Sequence, residues 1–209
     1  MEQRSELMLL ENVEKYYRGH RVLGIERLAL YAGDRIVVTG GNGSGKSTLI
    51  RLLAGVSLSD KGRLWRSPAL SRGILGLVPQ GGGLYGELSI EANLHLRRRL
   101  HGLPRRKISD ADFLSDLGLI VFCDKPFAEL SGGYQRLATL AAALYLGPTC
   151  LLLDEPLAGL DRSKKEKALR VLGDDDEELN LLVMAAPNAG DYPAANREIV
   201  ISDGRIACV

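Results

Sequence analysis

The chain has 209 residues, of which 45% are hydrophobic and 25% charged, and its formal net charge is +1. This size and composition indicate one globular domain, and the balanced charge leads us to expect no nucleic-acid partner. The most apolar stretch, residues 137–146, is shorter than the ~18–20 residues that cross a bilayer. We therefore expect no membrane span here, and no secretory signal, because the amino terminus lacks an apolar stretch after a basic start.

Short apolar or β-branched segments predict strands in the first part of the chain. Residues 7–10 and 21–30 are predicted strands, and residues 35–39 form a β-branched segment that suits a buried strand. A helix is predicted to begin in the glycine-rich segment that follows and to end at Ala54, with Gly55 as its stop signal. This part of the chain is therefore expected to be mainly sheet.

The middle of the chain has a different pattern, with leucines at helical spacing and no β-branched runs. Strand-like sequence returns at residues 150–153, 181–183 and 199–201, with helical stretches between these segments. Strands that alternate with helices favour a mainly parallel sheet covered by helices. The acidic run at 174–178 is predicted to be a solvated turn or helix start.

The three cysteines, Cys123, Cys150 and Cys208, have no spacing typical of a metal site. A sparse, odd number of cysteines fits a reducing compartment, and we expect these thiols to act mainly as small apolar side chains.

A phosphate-binding loop is predicted at residues 40–47, which match the pattern G-x-x-x-x-G-K-[ST] between a predicted strand and a predicted helix. Glycines let the backbone curl so that its N–H groups point at phosphates, and the helix amino end adds a positive dipole. Lys46 should reach the β- and γ-phosphates, and the Ser47 hydroxyl should bind Mg²⁺. The predicted triphosphate-binding residues are Gly40, Gly41, Asn42, Gly43, Ser44, Gly45, Lys46, Ser47 and Thr48.

Two adjacent carboxylates, Asp154 and Glu155, end the apolar segment 151–153. Beside a phosphate loop, Asp154 is expected to hold Mg²⁺. Because neighbouring side chains on a strand point in opposite directions, we expect Glu155 to address the attacking water as base or orienter.

The segment L-S-G-G-Y-Q at residues 130–135 resembles the signature of the ATP-binding-cassette (ABC) transporter family, and it precedes the Asp-Glu segment as in that family. The resemblance covers nearly the whole chain. It implies an α/β fold of the P-loop NTPase type, with a mainly parallel sheet core, an antiparallel β portion near the amino terminus and a small helical lobe. It also implies a single domain, 1–209, with the ATP-binding core at 1–84 and 126–209 and the lobe at about 85–125.

Further site residues follow from the resemblance alone. Tyr17 resembles the aromatic residue on which adenine stacks, with Tyr16 as the competing residue and a plain core tyrosine as the alternative. Gln80 would touch Mg²⁺ and the water, and Asp161 would lie at the dimer seam. The signature residues expected to contact the ATP held by a second cassette are Ser131, Gly132 and Gly133.

The resemblance implies an ATPase that dimerises around ATP, with an identical or a different cassette, and drives a transmembrane permease. The short chain is similar to exporter-type cassettes, and the expected location is cytoplasmic, peripheral on the inner face of the membrane. The alternative is a soluble ABC ATPase without a transport role, such as an iron–sulfur assembly factor.

Two positions depart from the family pattern. The histidine expected after the strand near 181–183 is replaced by Ala185, and all three histidines of the chain precede the signature. Because alanine offers no donor to developing charge, we expect slow hydrolysis, or pairing with a cassette that has the histidine. Tyr134 replaces a glutamine of the family signature, which we interpret as a harmless variation.

Overall fold

The computed structural model describes residues 4–173 and 179–208, with the side chain of Cys208 left out. The acidic run at 174–178, predicted as a turn or helix start, lies outside the described residues. Within the described ranges, no helix combines the length and the apolar character needed to span a bilayer.

The structure contains nine described strands and six α-helices. The strands are β1 (Glu6–Tyr17), β2 (His20–Tyr31), β3 (Asp34–Thr39), β4 (Lys61–Arg66), β5 (Leu75–Val78), β6 (Cys150–Asp154), β7 (Leu181–Ala185), β8 (Arg197–Ser202) and β9 (Arg205–Cys208). The helices are α1 (Lys46–Ala54), α2 (Pro68–Arg72), α3 (Ile90–Leu100), α4 (Asp112–Asp116), α5 (Gly132–Leu144) and α6 (Arg162–Gly173).

All nine strands belong to one sheet, in the order β4-β1-β2-β9-β8-β3-β7-β6-β5. The run β8-β3-β7-β6-β5 is parallel throughout, whereas β1 pairs antiparallel with both β2 and β4. The predicted fold, a mainly parallel core with an antiparallel portion near the amino terminus, is confirmed.

Helices cover both faces of the parallel strands, which explains their apolar sequences. Every residue of β6 and β7 is buried. Leu49 and Ile50 of α1 pack on one face, and the alanine-rich α5 packs on the other with α3, α4 and α6. A strand buried on both faces loses the alternation of polar and apolar residues, and both strands were predicted for that reason.

The helix predicted to stop at Gly55 is confirmed, since Gly55 takes a left-handed φ of 72° and caps α1. Strands β4 and β5 were not predicted. Strand β4 is largely exposed and polar, and β5 has only four residues, so neither carries a strong periodic signal. Gln80, one of the predicted site residues, follows β5 closely.

Candidate nucleotide site

The phosphate loop lies between β3 and α1, as the sequence predicted. Gly40 has a φ of 143°, and a Cβ built on it would lie 2.2 Å from the Ile201 carbonyl oxygen and 2.7 Å from Ser44 Oγ. Gly45 has a φ of 114° immediately before the helix. Both positions therefore favour glycine for conformation, and Gly40 also requires it for space.

Two polar side chains of this loop, those of Ser44 and Lys46, are buried. The Lys46 side chain is 6% exposed, and its ammonium donates to the carbonyls of Gly40 at 2.8 Å and Gly41 at 3.2 Å. Ser44 Oγ is buried and has no hydrogen-bond partner among the described residues. A buried cation and a buried hydroxyl beside a helix amino end form an arrangement that suits phosphate oxygens.

Asp154, the last residue of β6, lies directly behind the loop. It is 2% exposed, and the Ser47 hydroxyl donates to its Oδ1 at 2.8 Å. Burial raises the pKa of Asp154, and the Ser47 hydrogen bond opposes part of that rise. A hydroxyl and a desolvated carboxylate held together are hard oxygen donors of the kind Mg²⁺ prefers, so these residues fit that ion.

The expectation that strand alternation directs the Glu155 side chain is wrong. The strand ends at Asp154, and Glu155 adopts a left-handed φ of 51°, so a turn directs its side chain rather than strand alternation. Its N–H donates to the Ala185 carbonyl at 3.1 Å. Its carboxylate lies 3.7 Å from Lys46 Nζ, and Gln80 Nε2 donates to it at 3.4 Å.

Most of the residues predicted to bind the triphosphate line one cleft of about 510 Å³. They are Asn42, Gly43, Ser44, Gly45, Lys46, Ser47 and Thr48, and Gln80 and Glu155 line the same cleft. Val22 and Arg51 also line it and were missed. Arg51 follows Ser47 by four residues on α1 and so shares its face of the helix, a signal that could have been used. Val22 offered no signal.

The two candidate adenine-stacking tyrosines differ in their surroundings, and neither lines the cleft. The Tyr16 hydroxyl donates to Glu14 at 2.9 Å, and the Lys61 ammonium lies 5.5 Å from the Tyr16 ring. Tyr17 is 42% exposed, and the Lys15 ammonium lies 5.5 Å from the centroid of its ring.

The signature residues lie apart from the phosphate loop of the same chain. Ser131 and Gly132 are exposed at the start of α5, and the Ser131 side chain makes no capping bond to its own helix. No signature residue lines the phosphate-loop cleft. Asp161 is 56% exposed and accepts the Lys164 N–H at 2.9 Å, which caps α6. Both the signature and Asp161 therefore face outward.

Ala185 ends β7, where it pairs with Asp154 on one side and Val38 on the other, and it is fully buried. Ala186 is the first residue after β7, just as Glu155 is the first residue after β6. A small cavity of about 50 Å³ is bordered by Glu155, Ala185 and Ala186. Neither alanine supplies a hydrogen-bond donor from its side chain.

Comparison with known proteins agrees with this geometry. The family model described as ABC transporter matches residues 25–158. The zinc import ATP-binding protein of Halorhodospira halophila is 33% identical, over 97% of this chain and 76% of its own length. The Fe(3+) ions import ATP-binding protein of Streptomyces coelicolor is also 33% identical, over 96% of this chain but only 61% of its own length.

A solved dimeric bacterial ABC transporter cassette superposes with a TM-score of 0.85 at 22% identity, over 97% of both chains. At that identity the superposition establishes the fold. Together with the family match and the relatives, it gives the alternative of a soluble iron–sulfur assembly factor no support. The chain belongs to the ABC transporter family, as an ATP-binding subunit and ATPase of that family.

Proposed function

We propose that this chain binds Mg²⁺-ATP in the cleft between the phosphate loop and Glu155, hydrolyses it as part of a cassette dimer, and drives a membrane permease. The observation that carries the proposal is the meeting of Lys46, the Ser47–Asp154 pair and the Gln80–Glu155 pair in and behind one cleft. They come from the carboxyl ends of β3, β5 and β6, the edge at which open α/β sheets bind ligands.

Each residue has a role that its surroundings support. Lys46 and the loop N–H groups bind the phosphates, and Glu155 orients the attacking water or takes its proton. Gln80, which donates to Glu155, holds that carboxylate in place. Ser47 and Asp154 are the proposed Mg²⁺ ligands, with Gln80 as the third expected one. Mg²⁺ supplies positive charge that neutralises the phosphate oxygens.

Tyr17 is the proposed adenine-stacking residue. The Tyr16 ring lies beside Lys61, and its hydroxyl donates to Glu14, so stacking on it would compete with these contacts. Tyr17 also has a lysine, Lys15, 5.5 Å from its ring, but at 42% exposed it is the more accessible ring for an aromatic base.

A second cassette is needed because the proposed signature contacts lie outside the phosphate-loop cleft. The exposed Ser131 hydroxyl and the start of α5 offer donors to a phosphate, and we propose that Ser131, Gly132 and Gly133 use them on the ATP of the second cassette. Asp161 is proposed to lie at the seam between the two. The partner is an identical or a different cassette.

The proposed division of the chain is a core at 1–84 and 126–209 and a lobe at about 85–125, with the permease binding at the lobe. A groove of about 290 Å³ lies on the core side of this division, next to the lobe boundary at Phe127, and is lined by Gln80 and by Gln135 and Thr139 of α5. A permease segment seated there would touch the residue that donates to Glu155. This arrangement implies a peripheral location on the inner face of the membrane.

The direction of transport is a finer proposal. Export was expected from the short chain alone, whereas both relatives reported above are named as import proteins, and they favour the opposite direction. Slow hydrolysis, expected from the missing histidine, also remains a prediction.

The proposal is tested with the purified chain and the variants Glu155→Gln and Lys46→Ala. We expect Glu155→Gln to bind ATP with unchanged affinity while its turnover falls by about 10³-fold or more. Lys46→Ala should lose ATP affinity instead. Glu166→Gln, on the exposed face of α6, is the matched control and should retain both properties. Normal turnover in Glu155→Gln would contradict the assigned role.

The transport role is tested by affinity purification from detergent-solubilised membranes of the source organism. A multi-span protein should co-purify and raise ATP turnover when both are reconstituted in vesicles. Substrate movement into or out of those vesicles then decides the direction. A purely soluble assembly with full turnover would contradict the transport role.

A further inference from the structure

Tyr134, the residue that departs from the family signature, lies in a small cluster at the start of α5. Its ring packs at a tilt against Phe122, with centroids 4.7 Å apart. The Lys164 ammonium lies 4.9 Å from the centroid of the Tyr134 ring. A cation at this distance is attracted by the negative face of the ring.

Lys164 comes from the first turn of α6 and reaches across to α5. Its ammonium forms an ion pair with Asp161, and its backbone N–H is bound by the same carboxylate. The aliphatic stem crosses Gly133, since a Cβ built on Gly133 would lie 3.0 Å from Lys164 Cδ. The side chain is only 20% exposed. Lys164 thus contacts a signature residue, the aromatic ring beside it and the seam aspartate at once.

The protonated form of Lys164 is stabilised in this position. The hydrogen bond to Asp161 raises the pKa of Lys164, and the same contact lowers the pKa of Asp161. Both groups therefore keep their charges at neutral pH.

We propose that Lys164 is a positioning residue that joins the signature segment, 130–134, to the seam loop, 157–161, so that both meet the second cassette as one unit. This inference rests on the proposed function, in which these two segments face that cassette. Tyr134 contributes to this connection, because a glutamine at this position has no π face to attract the Lys164 ammonium. On this view the tyrosine is not the harmless variation that the sequence suggested.

The inference is tested first in the monomer, by hydrogen–deuterium exchange. Lys164→Met keeps the packing over Gly133 and removes the charge. We expect amide exchange to quicken by about threefold to tenfold in both segments. Lys164→Arg keeps the ion pair and stacks on tyrosine, so it should restore protection. Exchange that changes only around Asp161, or in neither segment, overturns the inference.

The matched control is Lys61→Met, which removes a contact of the same kind elsewhere. Lys61 Nζ lies 5.5 Å from the Tyr16 ring and 2.7 Å from the Glu14 carboxylate. Its loss should leave both segments unchanged.

A second measurement uses ATP-dependent dimerisation in the Glu155→Gln background, where the ATP state accumulates. Lys164→Met should raise the dimer Kd by about tenfold, since each of the two subunits must then order its signature segment and seam loop on association, with the ATP affinity of the monomer unchanged. Tyr134→Gln should have a similar effect, and the double variant should be less than additive. An unchanged dimer Kd overturns the inference. A Glu155→Gln protein that stays monomeric in ATP instead excludes an identical cassette as the partner, and the exchange result then decides alone.

Discussion

The phosphate side and the signature side of the proposed site are built in opposite ways. Lys46 and Asp154 are buried, and their polar contacts are made to residues of the same chain. Ser131 and Gly132 are exposed, and Ser131 leaves its own helix uncapped. The first geometry is therefore determined by the packing of one chain, whereas we propose that the second is completed by another molecule. Mutations on the two sides should consequently fail in different assays.

A pair of glycine substitutions gives the largest contrast. Gly40→Ala forces a Cβ to within 2.2 Å of the Ile201 carbonyl at a φ of 143°, so the loop must move. We expect ATP affinity to fall by about 10²-fold or more and the free energy of unfolding to drop by about 1–3 kcal/mol. A fluorescent nucleotide titration and urea unfolding measure the two effects.

Gly132→Ala is the control for that substitution. A Cβ on Gly132 meets nothing within 4 Å, so monomer stability and monomer ATP affinity should stay as they are. If Gly132→Ala reduced ATP affinity in the monomer as Gly40→Ala does, the proposed separation of the two sides would be wrong.

Ser131→Arg breaks the signature side alone. The large side chain should block the approach of the second cassette and reduce turnover by about 10²-fold, on the scale of a lost charge-stabilising donor. ATP affinity of the monomer should be unchanged, because Ser131 does not line the cleft. Turnover measured across protein concentrations checks this, since the wild type should show a steep dependence.

Ser115→Arg serves as its comparison, because Ser115 is also an exposed serine, on α4. It should keep both turnover and its dependence on concentration. Equal losses in the two variants would mean that the added charge, and not the position, causes the defect.

A smaller effect is expected from restoring a histidine beside Glu155. Because β6 and β7 run in parallel, with Asp154 paired to Ala185, Ala186 is the residue level with Glu155. Ala186→His should raise turnover by about tenfold if the imidazole reaches the reacting phosphate. Ala185→His inserts the ring into a strand that is buried on both faces, so it should mainly lower the unfolding midpoint.

Steady-state turnover and thermal unfolding of both variants separate these outcomes. If both variants fold and neither changes the turnover, the hypothesis that the missing histidine slows hydrolysis is contradicted.

The same contrast explains how much the sequence predicted. Lys46 was predicted from the glycine-rich motif after a predicted strand, and Asp154 from its place at the end of another predicted strand. Gln80 followed only from the family resemblance, since β5 was not predicted. The carboxyl ends of parallel strands meet at one edge, which brings the three residues together. The turn at Glu155 was missed, because a left-handed backbone conformation at a residue other than glycine leaves no recognisable pattern in the sequence.

Contacts between segments distant in sequence could not be predicted from the sequence pattern either. Asp34 is fully buried and pairs with Arg197 at 3.1 Å and Arg4 at 3.2 Å, and no local sequence pattern indicates these partners. The Lys164–Tyr134 contact joins residues 30 positions apart across two helices. Such pairs depend on side-chain packing in three dimensions, which periodicity does not encode.

The smallest expected effect is on the free energy of unfolding, which the buried carboxylate of Asp154 lowers at neutral pH. Burial raises the pKa of Asp154 above its ordinary value of 3.8, so the folded state retains a proton that the unfolded chain has already lost. Stability from this group is therefore fully present below about pH 4 and is lost as the pH rises through the folded-state pKa.

Asp154→Asn, which can still accept from Ser47, should unfold at a higher urea concentration than the wild type at pH 7.5 without nucleotide. The two should converge near pH 4. Added Mg²⁺-ATP should reverse the order, because only the wild type binds it well. A variant less stable than the wild type at pH 7.5 would mean that the buried carboxylate stabilises the fold, and the two sides would then differ less than we argue.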